Sequence, residues 1–273
     1  MRSSPKKPVI SVIMGVYNCP DRQTAERSVN SVLNQSCRDF EFIICDDGSD
    51  NGTFAWLKTL AHSDKRIKLI RRHKNKGLAS ALNRCISLSQ GDFIARQDID
   101  DISEPNRFEH QLNFLKEHES IAFVGSDCLL ADENGVLFGR RHMPERPKAP
   151  DFLFNQPFIH GSVMFRRSAL TSAGGYRTVG ISRKYEDYEL FMRLYSTGHK
   201  GANIPHCLYR FSEKSLGRKV SPQMRVDEFF VRLRGFHALG LLPRSLPFLL
   251  KPLAMILLPP RLTAKIRAFS EAR

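Results

Sequence analysis

Long apolar runs are missing from this chain. No window of about 18 uninterrupted apolar residues occurs, which argues against a conventional membrane-spanning helix. A cysteine framework is missing too. Cys19, Cys37, Cys45, Cys85, Cys128 and Cys207 lie far apart, with no Cys-x-x-Cys pair for a metal or redox motif. Cys45 and Cys85 fall in apolar patterns and read as small core residues, and free thiols fit a cytosolic compartment. There is no internal repeat and no low-complexity tract. The first strand pattern runs into Gly15-Val16-Tyr17-Asn18 rather than a glycine-rich phosphate turn. Arg2, Lys6 and Lys7 before Val9–Val16 give the outline of a signal peptide. The run then ends in Tyr17-Asn18-Cys19-Pro20, without a small-x-small cleavage site, so it reads as a strand.

Acidic residues are in short supply: 28 Asp and Glu face 42 Lys and Arg, for a net charge of +14. The excess is uneven, because +9 of it falls from Gly201 onward. A basic tail of this kind meets nucleic acid, anionic lipid or an anionic substrate, or is simply a solvated face. At 273 residues, 41% hydrophobic and 26% charged, the chain is long and apolar enough for a full α/β core.

The patterning is strand–helix–strand. Val9–Val16 is a near-continuous β-branched run, as in a strand buried on both faces. Ala25–Leu33 carries Val29, Val32 and Leu33 at helical spacing. Strands follow at Phe40–Cys45, Ile67–Ile70 and Phe93–Ala95. Helices follow at Asn51–Ala61, at Leu78–Ile86 and around Phe108, Leu112 and Leu115. This alternation predicts a mostly parallel sheet with helices on both faces. Beyond Ala122 the pattern breaks into shorter apolar pieces (Ala122–Val124, Val136–Phe138, Val163–Phe165) and reads as α+β material. Leu246–Leu258, broken by Lys251 and Pro252 and flanked by Arg244, Arg261, Lys265 and Arg267, suits either an interfacial segment or a helix docked on the core. Three regions result: an α/β half over 1–121, an α+β half of the same domain over 122–221, and a helical extension over 222–273.

Two acidic knots stand at strand ends. Asp98-Ile99-Asp100-Asp101 puts three carboxylates into four positions after Phe93–Ala95. Such a cluster repels itself and resists desolvation unless a cation is present, and Mg²⁺ and Mn²⁺ take oxygen ligands. Asp46-Asp47-Gly48-Ser49-Asp50 follows Phe40–Cys45. In an open α/β sheet, ligands bind at the carboxyl ends of the strands, where both knots and Tyr17-Asn18 converge.

Val16-Tyr17-Asn18, Asp46–Asp50, Asn75-Lys76-Gly77-Leu78-Ala79, Asp98–Asp101, His160-Gly161-Ser162 and Glu186-Asp187 resemble, in order and approximate spacing, the family 2 glycosyltransferases. The resemblance covers roughly residues 8–211. It implies a GT-A-like α/β fold and inverting transfer from a nucleoside diphosphate sugar, with UDP the expected nucleotide. On that parallel Tyr17 stacks on the base with Asn18 beside it. Asp47, with Asp46 as neighbour, accepts a hydrogen bond from the base, and the backbone amides of Asn75-Lys76-Gly77 face the ribose or phosphates. Arg96 pairs with phosphate or neutralises Asp98. Asp98, Asp100 and Asp101 form the Mn²⁺ or Mg²⁺ site, and Asp101 either completes it or orients its partner. Asp187 is the general base, supported by Glu186, although acidic residues in a helix's first turn are common in any case. His160 is a candidate for the acceptor pocket, and Phe211–Ser221 reads as a basic lid. Many relatives have proline where Gly15 stands, which is expected to loosen the strand exit.

The Gln-x-x-Arg-Trp motif of processive synthases is absent, since the single Trp is Trp56. The resemblance therefore points to addition of one sugar to a glycan or lipid-linked acceptor in surface-polysaccharide assembly. The free thiols suit a cytoplasmic enzyme, and the interfacial reading of Leu246–Leu258 makes an anionic membrane surface a candidate partner. A nucleotidyltransferase would show a glycine-rich turn near its first strand. A nucleic-acid-binding module leaves the two acidic knots, which repel phosphate, unexplained.

Overall fold

The computed structural model describes residues 7–179, 185–213 and 221–257. Its first half follows the sequence pattern closely. β1 (Ile10–Val16), β2 (Phe40–Asp46), β3 (Ile67–Arg71) and β4 (Phe93–Arg96) are parallel, in the spatial order β3-β2-β1-β4. The connections are α1 (Arg22–Leu33), α2 (Thr53–Ser63) and α3 (Leu78–Leu88). The chain builds outward from β1 to β3 and then returns to β1's other side. This reversal opens a crevice at the carboxyl ends of β1 and β4.

Side chains on a strand alternate between faces, and the core divides accordingly. Val12, Met14, Phe42, Ile44 and Ala95 lie with Val29 and Val32 of α1 and with Phe108 and Leu115 of α4 (Arg107–Glu117). Ile13, Ile43, Cys45 and Ile94 lie with Leu82 and Cys85 of α3 and with Leu190 and Phe191 of α6 (Glu186–Ser196). β1, β2 and β4 are buried on both faces, which is why they read as continuous apolar runs, whereas the edge strand β3 exposes Lys68 and Arg71. Gly15 has a packing role: a Cβ there would sit 2.9 Å from Leu78 Cδ1 and 3.2 Å from Ala81 Cβ, so the glycine lets α3 close on β1.

The second half extends the same sheet. β5 (Ile102–Ser103), β6 (Ile121–Ala131), β7 (Leu137–Arg141), β8 (Met164–Arg166) and β9 (Lys200–Ser212) continue it as β4-β8-β6-β9-β5, with β7 on β6. β8 runs antiparallel to both neighbours, whereas β6 and β9 are parallel. β6 is much longer than its apolar signature, Ala122–Val124. It continues through buried Ser126 and Asp127, where register shifts against β9 break the alternation. α5 (Arg167–Ser172) follows β8.

After α6 and β9 come α7 (Pro222–Ala238) and α8 (Leu246–Leu257). Val231 and Phe236 of α7 enter the core beside α6, and Leu249 and Phe248 seat one side of α8. No helix of the described residues is long and apolar enough to cross a membrane. Most of the expected lid, at 214–220, lies outside the described residues, as do Leu258, Arg261, Lys265 and Arg267.

Candidate active site

Val16 and Asp46 are register partners, and the Asp47 N–H donates to the Val16 carbonyl at 2.8 Å, so β1 and β2 end together. Asp47 is buried. Its Oδ2 accepts from the backbone N–H of Lys76 (2.9 Å) and of Gly77 (2.7 Å). The amides expected to face donor groups therefore hold Asp47 in this structure. Gly48 makes the approach possible: it has φ +82°, and a Cβ would come within 2.8 Å of the Lys74 carbonyl carbon. Asp47 Oδ1 has no hydrogen bond and lies 3.4 Å from Arg72 Nη1. Asp46 is fully buried, with Oδ2 accepting from Ser49 N–H (3.2 Å) and Oδ1 unpartnered. Asn18 occupies the left-handed region (φ 44°), tied to Ser49 Oγ through its N–H and to the Asp50 N–H through Oδ1. This turn leaves the Tyr17 ring half-exposed at the sheet edge.

Arg72 was not among the sequence candidates. It directly follows β3, donates to Ser80 Oγ at 2.8 Å, and lines an open cleft of about 480 Å³ with Arg71, Asn83 and Arg84. A basic residue just past a strand, on the same edge as the acidic knots, was the available signal.

The β4 end is built around two buried arginines. Arg96 donates through Nη2 to Asp98 Oδ1 at 2.6 Å and through Nη1 to the Gln97 carbonyl. Burial opposes its charge, but Asp98 together with Tyr176 and Tyr209 outweighs it and keeps the guanidinium above its ordinary pKa. Arg107, at the start of α4, donates to the Arg96 carbonyl (2.7 Å), Gln97 Oε1 (3.0 Å), Ser103 Oγ (2.7 Å) and Gln111 Oε1 (3.1 Å). Burial lowers its pKa to about 10. The turn from Arg96 to Ser103 is thus held from beneath. Tyr209 of β9 accepts from the Asp98 N–H at 3.2 Å.

Asp98 is partly exposed and Asp100 half-buried, whereas Asp101 is turned inward, with Oδ1 accepting from the Ser212 N–H at 2.7 Å. Burial, then the charges of Asp98 and Asp100, push the Asp101 carboxyl well up. The three carboxylates do not close into one cage: among the described residues no group of three or more His, Cys, Asp or Glu is poised around a common metal position. The donor set still fits a hard divalent ion. Asp98 and Asp100 concentrate negative charge on oxygen atoms just past the carboxyl end of β4, and Mg²⁺-type sites commonly use one or two carboxylates plus substrate phosphates.

Facing this turn is the start of α6. Glu186 is 9% exposed, and its Oε2 has no partner. Burial first, and Asp187 second, raise its pKa to about 7, with Arg96 and Asp98 also within electrostatic reach. Asp187 is half-buried, and its Oδ1 accepts from the Tyr188 N–H at 2.7 Å. His160 Nε2 pairs with the Tyr176 hydroxyl at 2.7 Å; burial and then Arg96 hold the imidazole down near 3, so it is neutral. Gly161 lies against the acidic turn, where a Cβ would overlap the Tyr209 hydroxyl and come 2.9 Å from Asp98 Oδ2. The sequence candidates thus gather at one sheet edge, with the β1/β2 knot on one side and the Glu186–Asp187 pair across from Asp98.

The glycosyl transferase family 2 model matches residues 11–172 of the chain. EpsE of Bacillus subtilis (strain 168), a protein named as a glycosyltransferase, is 39% identical over 261 residues, covering 95% of this chain and 92% of EpsE. The fold matches Staphylococcus aureus TarS (residues 1–349), crystallised with UDP-GlcNAc, at a TM-score of 0.66 and 17% identity, over 89% of this chain and 72% of that one. It also matches the mannosyltransferase PcManGT of Pyrobaculum calidifontis, crystallised with GDP-Man and Mn²⁺, at a TM-score of 0.62 and 19% identity, over 97% and 81% respectively. The expected GT-A architecture is present, and the chain belongs to glycosyl transferase family 2.

Proposed function

We propose that this enzyme moves a single sugar from a nucleoside diphosphate donor, UDP-linked, to a hydroxyl of a glycan or lipid-linked acceptor in surface-polysaccharide assembly, with inversion at the anomeric carbon. The observation that carries the reading is the convergence of two acidic sets, from the β4 end and from the start of α6, near enough to influence each other's charge. The Asp98 turn lies at the sheet edge. Buried Glu186, beside half-buried Asp187, lies close enough for Asp98 and Arg96 to influence its proton.

Tyr17 offers its ring to the base, while Asp47 Oδ1 and Arg72 supply an acceptor and a donor for the base edge. Asp46 and the Asn75–Gly77 loop keep Asp47 in place. Arg96 is committed to Asp98 and so aims that carboxylate rather than meeting phosphate itself. Asp98 and Asp100 are the residues to hold Mn²⁺ or Mg²⁺, and Asp101 orients their turn. When bound, such an ion neutralises charge on the diphosphate. The acceptor oxygen attacks the anomeric carbon as the bond to the diphosphate oxygen breaks, and the diphosphate leaves with the electron pair. Asp187 takes the hydroxyl proton, and the unpartnered Glu186 oxygen receives a hydrogen bond from the acceptor. General-base help of this type is worth roughly 10²–10⁴ in rate. The free cysteines and the sugar-nucleotide donor fit a cytoplasmic enzyme.

The test is thermal stabilisation by UDP-GlcNAc, UDP-galactose and GDP-mannose, each with and without Mn²⁺, followed by NMR of the product linkage. A donor at one hundred times its Kd stabilises by about 2.7 kcal/mol. Metal-enhanced stabilisation by one UDP-sugar is expected. Failure of every sugar nucleotide to stabilise the protein would overturn the donor reading, and a retained anomeric configuration would overturn inversion.

A further inference from the structure

α8 is apolar on two sides. Phe248 and Leu249 bury one side against the protein. On the other, Leu246 and Leu250 are 50% and 51% exposed, one turn apart, with exposed Ala254 one turn further. The patch extends beyond the helix. Phe154, 66% exposed on the loop ahead of β8, packs its ring on Phe248 at 4.9 Å, and exposed Leu242 leads into α8. A helix that is apolar all round is ordinarily covered on every side. Exposed Arg244 and Lys251 stand among these residues. From Phe229 to Ser270 the sequence has seven Lys and Arg and no Asp or Glu, of which only Arg232 is committed to an internal ion pair with Glu228 among the described residues.

We infer that this face, built from Phe154, Leu242, Leu246 and Leu250 with Arg244 and Lys251, docks the enzyme on an anionic lipid bilayer. Charge selects that occupant over a second copy of the chain. A face with basic residues and no acidic ones repels its own copy and is attracted to anionic headgroups, while the leucines and Phe154 enter the acyl boundary. No spanning segment is required, and the inference does not depend on the donor or acceptor assigned above.

The experiment is flotation of the full-length protein with vesicles of phosphatidylglycerol and phosphatidylcholine, against phosphatidylcholine alone. Binding to the anionic vesicles is expected at about 0.1 M salt. It should fall steeply toward about 1 M, as the screening length shrinks from about 10 Å to about 3 Å. Arg244→Ala with Lys251→Ala should weaken partitioning about fivefold per charge. Leu246→Ser with Leu250→Ser should weaken it about fivefold per leucine, since each has about half its surface left to bury. All four positions are exposed, and an unchanged melting temperature and circular dichroism spectrum check that each variant is folded. Three results would overturn the inference: no flotation of the full-length chain at low salt, unchanged flotation of both folded double variants, or a dimer in sedimentation velocity that is lost in Leu246→Ser/Leu250→Ser while vesicles remain unbound.

Discussion

Replacing Glu186 with Gln tests whether the α6 carboxylate pair is held under electrostatic load. The folded protein raises the Glu186 pKa from 4.5 to about 7. Below about pH 4.5 the group is protonated in both folded and unfolded chains and contributes no difference. Between about 4.5 and 7 the unfolded chain releases the proton while the folded one keeps it, so stability falls as pH rises through this window. Above it the full penalty stands. At about 1.4 kcal/mol per pKa unit, the rise amounts to a penalty on the order of 3 kcal/mol. Glu186→Gln keeps the shape and removes the ionisation. The variant should therefore gain on the parent as pH rises, by several degrees of melting temperature near pH 8, at roughly 2–4 °C per kcal/mol. Below about pH 4.5 the difference between the two should stop changing with pH. Gln carries its own burial cost, but that cost is the same at every pH, so the difference in slope is the readout. Calorimetry at constant ionic strength, without nucleotide or metal, measures it. Parallel curves for parent and variant across this range would refute the reasoning. As a second check, Asp187→Asn removes the second cause of the shift and should move the window toward lower pH.

The first half of the fold was legible because β1, β2 and β4 are buried on both faces and each helix on one. β1, β2 and β4 announce themselves as apolar runs, and the carboxylates just past them mark the sheet edge. Less legible was whatever depends on distant pairing. Lys76 and Gly77 read as donor-facing amides, whereas the structure gives them to Asp47, thirty residues before Gly77. Nothing local in the sequence marks Arg107 as the clamp beneath the Asp98 turn. It looks like any helix-start arginine until Gln97, Ser103 and Gln111 are seen around it. Tyr209 lies 111 residues from Asp98, on a strand whose Pro205, His206 and Cys207 break the alternation that would have identified β9. Gly15, expected to loosen a strand exit, instead admits α3, because the helix that needs the space lies more than sixty residues on.

The carboxylates of the site should separate by role. Asp187→Asn is expected to cost on the order of 10² or more in kcat with donor affinity nearly unchanged; titration calorimetry beside steady-state kinetics decides, and a parallel loss of donor binding would move Asp187 to the donor side. Asp100→Ala should abolish Mn²⁺-enhanced binding of a UDP-sugar without lowering the melting temperature, since it removes one charge from a self-repelling cluster. Asp101 should behave differently from Asp100. Its carboxyl is buried, and its Oδ1 accepts from the Ser212 N–H, so it joins the acidic turn to the end of β9. Asp101→Asn keeps an acceptor at that position and should fold near parental stability, with metal-enhanced donor binding retained. Asp101→Leu leaves the Ser212 N–H without its acceptor and should cost about 1–3 kcal/mol. Denaturant unfolding of the two variants, with Mn²⁺-dependent UDP-sugar binding measured on each, separates an orienting residue from a ligand. If Asp101→Asn loses metal-enhanced binding as completely as Asp100→Ala, Asp101 reaches the ion itself, and its inward orientation belongs only to the donor-free state.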